Sequence, residues 1–384
     1  MSNWAYNKRP TFKECLNLTI QSLETDQIHI PLRRPFVTAI RTATAVEAVR
    51  VILQDKDGAV GYGEAPATAL ITGETVASIE AAIQAHIKPA ILNQSAEADI
   101  GKRIQTAIVG NTSAKAAVEM AWQDLCAQKA NAPLCKLLGD GKNIKNILTN
   151  DITISVGTLE DMTSHALEAI AGGFCMLKIK SGADPTHDAQ RIIALWRNID
   201  SGGRQVSAPA VLLRIDANQG WSPRQAVQII RKLEDADIPI DLIEQPVPAW
   251  DIEGLAMVSK HVSLPIAADE SVFSPRDALK CIQMRAASII NIKLMKTGGL
   301  GPALEICELC RTNGLKCMIG CMMEGEIGAA AAAHLAASQP VITRVDLDSP
   351  LLIKPGYYAE GPQFSGPVIT LSGGPGIGTR PIHV

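Results

Sequence analysis

From Ile147 onward the chain repeats one pattern: a short β-branched or apolar run, a polar turn, then an amphipathic stretch. Eight runs recur, Asp151 to Val156, Met176 to Lys180, Val211 to Ala217, Asp241 to Pro246, Pro265 to Glu270, Ile289 to Leu294, Lys316 to Cys321 and Thr343 to Asp348, with starts 24 to 35 residues apart. That spacing is the length of one strand plus its crossover helix. Eight such units predict a (β/α)8 barrel over residues 148–349. Residues 1–147 have a different texture. Leu16 to Leu32 alternates, Val49 to Leu53 and Ala59 to Tyr62 flank an Asp55-Lys56-Asp57-Gly58 turn, and Ser113 to Lys129 spaces Val118, Trp122 and Leu125 as an amphipathic helix. An N-terminal α+β domain is expected, its helix packed on an antiparallel sheet. The Gly- and Pro-rich segment 350–384 holds no ninth unit and is expected to return to that first domain.

Composition narrows the partners. Lys+Arg number 36 against 39 Asp+Glu, a net charge of −3, with no basic block of the kind that displaces counterions from nucleic acid. The Ala-rich stretch Ile327 to Ser338 is too short to span a bilayer, and residues 1–20 lack the apolar core of a signal peptide. A cytoplasmic protein with no membrane or nucleic-acid partner is expected, its nine cysteines reduced. Cys307 and Cys310, with Cys317 and Cys321 downstream, lack zinc-ribbon spacing and read as buried small side chains. Trp4, Tyr6 and Phe12 in the first 15 residues suggest packing on a neighbouring surface, and a homo-oligomer is expected.

The chemistry falls inside the apolar runs, near their C-terminal ends, where barrel enzymes place their sites. Lys178 and Lys180 lie on the second run, Asp216 on the third, Glu244 on the fourth, Asp269 on the fifth, Lys293 on the sixth, and Asp346 and Asp348 on the eighth. Asp216, Glu244 and Asp269 on consecutive strands should converge, and like charges in a partly buried site repel unless a cation joins them. Oxygen donors without histidine or thiolate select a hard ion, Mg2+ first and Mn2+ second. The second and sixth strands are half a barrel apart, so Lys180 and Lys293 should face each other across one substrate carbon. Repulsion between Lys178 and Lys180, together with the nearby metal, is expected to lower the pKa of one of them towards neutrality, as a general base requires. A carboxylate held by Mg2+ with a base on each side of its α-carbon suggests proton abstraction through a stabilised enediolate, and return of a proton from the other face inverts the centre. A Schiff-base lysine enzyme, by contrast, would need one desolvated lysine and no carboxylate triad.

Lys178-Ile179-Lys180, Asp216-Ala217-Asn218-Gln219-Gly220-Trp221, Ile243-Glu244-Gln245-Pro246, Ala268-Asp269-Glu270-Ser271 and Asn291-Ile292-Lys293-Leu294-Met295-Lys296 together resemble the enolase superfamily, muconate-lactonizing subgroup. The resemblance implies a modified (β/α)8 barrel with an N-terminal α+β capping domain completed by the C-terminal segment. It also implies Mg2+ on Asp216, Glu244 and Asp269, an acid/base pair in Lys180 and Lys293, and Lys178 assisting Lys180 and the bound carboxylate. Asp346-Leu347-Asp348 resembles the dipeptide epimerases, where such a pair holds a substrate ammonium group. Cycloisomerases, o-succinylbenzoate synthases and N-acylamino acid racemases of the same superfamily are the alternatives. Arg41, in a segment similar to the family's mobile first loop, matches an arginine that pairs with an acidic substrate side chain, which implies L-Ala-L-Glu or its epimer. Thr153 and Met323 are implied as pocket walls. Glu324 could orient Lys293 or polar substrate groups, or simply pair with a lysine. Lys296 is expected in a loop or helix start.

Overall fold

The computed structural model describes residues 18–39, 41–94, 99–141, 143–201 and 210–382; Trp4, Tyr6 and Phe12 lie outside them. Three antiparallel strands open the described chain: β1 (Ile20–Val37), β2 (Thr42–Asp55) and β3 (Val60–Pro66). The β2–β3 turn closes because Asp55 Oδ1 accepts the N–H groups of Asp57 and Ala59, each at 2.9 Å, and Gly58 takes a φ of +85°. β1 continues past the expected Leu32 to Val37, with a register shift between Pro31 and Phe36 that carries Phe36 to the barrel mouth.

Helix Thr112–Lys129 crosses β3 at close range. Gly61 and Gly63 make that possible, since a Cβ at Gly63 would stand 1.8 Å from the Ala117 carbonyl oxygen. The helix departs from the amphipathic expectation, because every residue from Ser113 to Ala127 is buried. Its polar side chains do not meet water but cap other elements. Glu119 Oε1 accepts the Gly301 N–H at 2.8 Å, and Asp124 Oδ1 accepts that of Ile377 at 2.7 Å. The helix is thus enclosed between the sheet and the segment that follows the sixth barrel strand.

After β4 (Ile147–Thr149), all eight runs form strands: β5 (Ile152–Ile154), β6 (Met176–Lys180), β7 (Leu212–Asp216), β8 (Ile240–Glu244), β9 (Ile266–Ala268), β10 (Ile289–Ile292), β11 (Lys316–Gly320) and β12 (Ile342–Asp346). They pair in parallel in chain order from β5 to β12. The intervening helices cover the outside; Pro223–Asp235, for example, turns Ala226, Ile229, Ile230 and Leu233 inward behind a Ser222/Gln225 capping box. Inside, Leu242, Ala267, Ile289 and Met318 form a small core of their own. Arg214, on the inner face two residues before Asp216, bonds Asp151 at 2.6 Å and Asp241 at 3.0 Å.

The β5–β12 edge carries no ladder. Side chains close it instead: the Thr153 N–H donates to Asp348 Oδ2 at 2.8 Å and the Leu347 N–H to Asn150 Oδ1 at 2.7 Å. The tail returns as expected, with Val368–Thr370 pairing antiparallel to β4 and the Tyr358 hydroxyl donating to Glu64 Oε2 at 2.8 Å. Cys307, Cys310 and Cys317 are buried, and among the described residues no helix is long and apolar enough to cross a membrane.

Candidate active site

The register of the parallel strands sets the site. Lys180 on β6 is level with Asp216 on β7, and Asp216 with Glu244 on β8. Asp269 follows the end of β9, and Lys293 caps the short helix Leu294–Thr297 after β10. Two layers result. Lys178, Lys180 and Lys293 line a cavity at the C-terminal ends of the strands, together with Arg41, Thr153, Met323, Asp346 and Asp348. Asp216, Glu244 and Asp269 lie beneath them, fully buried.

The charges interlock. Lys178 Nζ lies 2.7 Å from Asp346, 2.9 Å from Glu244 and 3.1 Å from Asp216. Lys180 is 2.7 Å from Asp216, and Lys293 is 2.7 Å from Asp269. Burial works against the charged form of Lys178, but Asp346, Glu244 and Asp216 outweigh it and hold its pKa well above the ordinary lysine value. With no cation among them, carboxylates and not Lys180 are its nearest charges. Lys293 is raised in the same way, burial being overcome chiefly by Asp269. Burial and Asp216 push Glu244 up to about 7. Asp216 and Asp269 are held below the usual carboxylate range despite burial, the first mainly by Lys180 and the second by Lys293.

Ammonium groups stand among the three carboxylates, and among the described residues no three His, Cys, Asp or Glu side chains are grouped as a metal centre. The donor chemistry nevertheless fits a hard divalent cation. Glu244 Oε2 and Asp269 Oδ1 are buried and accept no hydrogen bond, although the first is ion-paired with Lys178 and the second lies 2.6 Å from Lys296. Asn218 Oδ1 and Glu270 Oε2 beside them are buried with no donor at all. Oxygens of this kind are costly to leave unmatched.

The capping strands close the mouth. The Phe36 ring centroid is 5.9 Å from Lys180 Nζ, and Thr38, Arg41 and Ile71 complete the rim. Glu324 does not line the cavity and, among the described residues, forms no ion pair with a lysine, although Lys293 acts on its charge. Its Oε1 accepts the Met322 N–H at 3.0 Å, its own N–H donates to Ser349 Oγ, and burial raises its pKa to about 8.

Three residues exceed their sequence reading. Lys296 is completely buried, ion-paired with Asp269 and donating to the Asn291 carbonyl at 3.0 Å, a larger role than a loop position. Asn291 Nδ2 donates to Glu244 Oε1 at 2.9 Å, and Glu270 lines the cavity, its pKa raised to about 8 by burial and by Asp269. All three stand inside the quoted motifs, Glu270 next to Asp269 and Asn291 and Lys296 two and three residues from Lys293, which was the available signal.

A near-closed parallel barrel, capped by an α+β layer and holding lysines above buried carboxylates at its strand ends, defines an enolase-type enzyme. The family described as "Enolase C-terminal domain-like" matches residues 161–382, and the "Mandelate racemase / muconate lactonizing enzyme, N-terminal domain" matches residues 22–139. The chain belongs to the mandelate racemase/muconate lactonizing enzyme family of the enolase superfamily. It is 43% identical to the L-Ala-D/L-Glu epimerase of Clostridium acetobutylicum, over 95% of this chain and 100% of that protein. The substrate-liganded L-Ala-D/L-Glu epimerase of Bacillus subtilis superposes with a TM-score of 0.89 at 44% identity, covering 94% and 98% of the two chains. The dipeptide epimerase of Enterococcus faecalis V583, complexed with Mg and L-Leu-L-Tyr, gives 0.85 at 36% identity over 94% and 99%.

Proposed function

We propose that this protein is a Mg2+-dependent dipeptide epimerase that inverts the α-carbon of the C-terminal residue, with L-Ala-L-Glu/L-Ala-D-Glu as the reference substrate. The observation that carries the reading is the presence of two lysines and two aspartates, Lys180, Lys293, Asp346 and Asp348, on one cavity wall system. Lys180 and Lys293 come from strands four positions apart, so each can address one face of the α-carbon. One takes the α-proton and the other returns a proton from the opposite side. Asp346 and Asp348 hold the substrate ammonium, Arg41 the acidic side chain, and Phe36 with Ile71 exclude water.

Asp216, Glu244 and Asp269 would hold the divalent cation, Mg2+ before Mn2+, and when bound it supplies the positive charge that makes an α-proton next to a carboxylate acidic. Lys178 balances the carboxylates around it and assists Lys180 and the substrate carboxylate. The activity fits turnover of peptides from bacterial cell walls in the cytoplasm. A cycloisomerase would bring a second anion against Asp346 and Asp348, and an N-acylated amino acid offers no ammonium, which places both behind the dipeptide reading.

The test is incubation with Mg2+ in D2O and L,L-dipeptides, including Ala-Glu, Ala-Leu and Ala-Lys. Loss of the α-proton confined to the C-terminal residue, with inversion, and abolished by EDTA, supports the reading. Turnover of a cyclohexadiene carboxylate or an N-acyl amino acid with no dipeptide exchange overturns it.

A further inference from the structure

Asp188 does not line the catalytic cavity, yet two of the turns that carry its groups are fastened to it. It opens helix Asp188–Ser201, which follows β6, and is completely buried. One oxygen, Oδ2, accepts the Gly182 N–H at 2.9 Å and the Trp221 indole N–H at 2.8 Å. The other, Oδ1, is ion-paired with Arg191 on the same helix. Gly182 follows Lys180 by two residues and Trp221 follows Asp216 by five, so one carboxylate joins the turn after β6 to the turn after β7.

The two turns are packed backbone on backbone. Gly182 has a φ of +91°, and a Cβ there would stand 1.9 Å from the Ala217 carbonyl oxygen; one at Gly220 would stand 2.2 Å from the Gly182 carbonyl oxygen. Ser181 donates its N–H to the Asp216 carbonyl at 2.8 Å. The β7 turn is in turn hung on the next unit, Gln219 N–H donating to the Gln245 carbonyl at 2.9 Å and Trp221 N–H to that of Pro246 at 3.0 Å. Lys180 ends β6, so its side chain leaves a backbone that Asp188 locks to this platform. Lys293 follows β10, half a barrel away, and none of these bonds reaches it. A misplacement of about 1 Å in a reacting group costs on the order of 100-fold in rate.

We infer that Asp188 is a positioning residue for Lys180 and not for Lys293, setting where the Lys180 ammonium stands relative to the substrate α-carbon. This rests on the two-base dipeptide reading and deepens it, because the two lysines then depend unequally on helix Asp188–Ser201.

The test follows α-proton exchange and inversion in D2O with Mg2+, from L-Ala-L-Glu and L-Ala-D-Glu separately, in the natural chain and in Asp188→Asn. An asparagine has one acceptor oxygen, so either Arg191 or the Gly182 and Trp221 N–H groups lose their partner. Lys293→Ala identifies the epimer that Lys180 serves, as the one whose exchange it retains. Asp188→Asn is expected to lower exchange of that epimer by about 10- to 100-fold and to leave exchange of the other within about threefold of the natural chain. Starting from the other epimer, exchange without inversion should then exceed inversion. Trp221→Phe removes one donor to Asp188, should move the two epimers apart in the same direction, and carries the test if Asp188→Asn does not fold. A folded variant that slows both epimers equally, slows neither, or slows only the epimer served by Lys293 overturns the inference alone. A natural chain that epimerises no dipeptide, or a folded Lys293→Ala that exchanges neither epimer, overturns the reading beneath it and the inference with it.

Discussion

Lys178 Nζ stands 2.7 Å from Asp346 Oδ2 although β5 separates their strands, so one ammonium joins a carboxylate of β12 to those of β7 and β8. Removing it leaves Asp346, Glu244 and Asp216 without their shared counter-charge in a buried place. Lys178→Met is expected to cost about 3 kcal/mol or more in urea unfolding. A divalent cation would restore part of that charge, so Mg2+ should raise the melting temperature of the variant more than that of the natural chain. Equal responses to Mg2+ would count against cation binding at these carboxylates.

Asp346→Asn and Asp348→Asn remove acceptors for an ammonium group. A hydrogen bond between charged partners contributes about 1.5–3 kcal/mol, so each change should lower kcat/KM for dipeptides by about 10- to 100-fold, mostly through KM. Losses confined to kcat would show that these aspartates act on the lysines rather than on the substrate.

Arg41 lines the cavity rim, its pKa lowered by burial. Arg41→Met is expected to lower turnover of Ala-Glu by about tenfold or more relative to Ala-Leu, since only the former offers it a carboxylate. An unchanged Ala-Glu to Ala-Leu ratio would reject that pairing.

His334 gives a pH signature far from the chemistry. It is fully buried, its Nδ1 accepts the Cys135 N–H at 3.2 Å and its Nε2 faces the Ile377 carbonyl at 3.0 Å, which requires the neutral Nε2–H tautomer. Burial pushes its pKa down from 6.5 to about 4. Above pH 6.5 its contribution is present in full; as pH falls toward 4 the unfolded chain takes up a proton that the folded chain refuses, and stability declines. Between those limits the natural chain should lose about 3 kcal/mol more than His334→Gln, measured by denaturant unfolding. Parallel stability curves would contradict this.

Much of this architecture is legible in the sequence because period and chemistry coincide there. Each of β5 to β12 lies in an apolar run, and a carboxylate at the end of such a run, as Asp216 after Leu213-Arg214-Ile215, points to chemistry rather than packing. Helix Thr112–Lys129 was harder to read. Its alanines and its Glu119 and Asp124 look like an amphipathic surface until the partners they cap, Gly301 and Ile377, arrive from far along the chain. The same holds for Lys296, whose partners Asp269 and Asn291 become neighbours only when β9 and β10 pair. The pKa direction of Lys178 could not be read from its spacing to Lys180, because it is set by three carboxylates brought in by tertiary folding.

Lys180 and Lys293, from strands half a barrel apart, are placed to serve opposite faces of one carbon. The most direct test follows L-Ala-L-Glu and L-Ala-D-Glu separately in D2O with Mg2+, using Lys180→Ala and Lys293→Ala. Each variant should lose epimerisation by at least about 100-fold yet retain α-proton exchange with one epimer, and the retained epimer should differ between the two. Exchange of the same epimer by both variants, or loss of exchange with both epimers in only one of them, would contradict a two-base inversion.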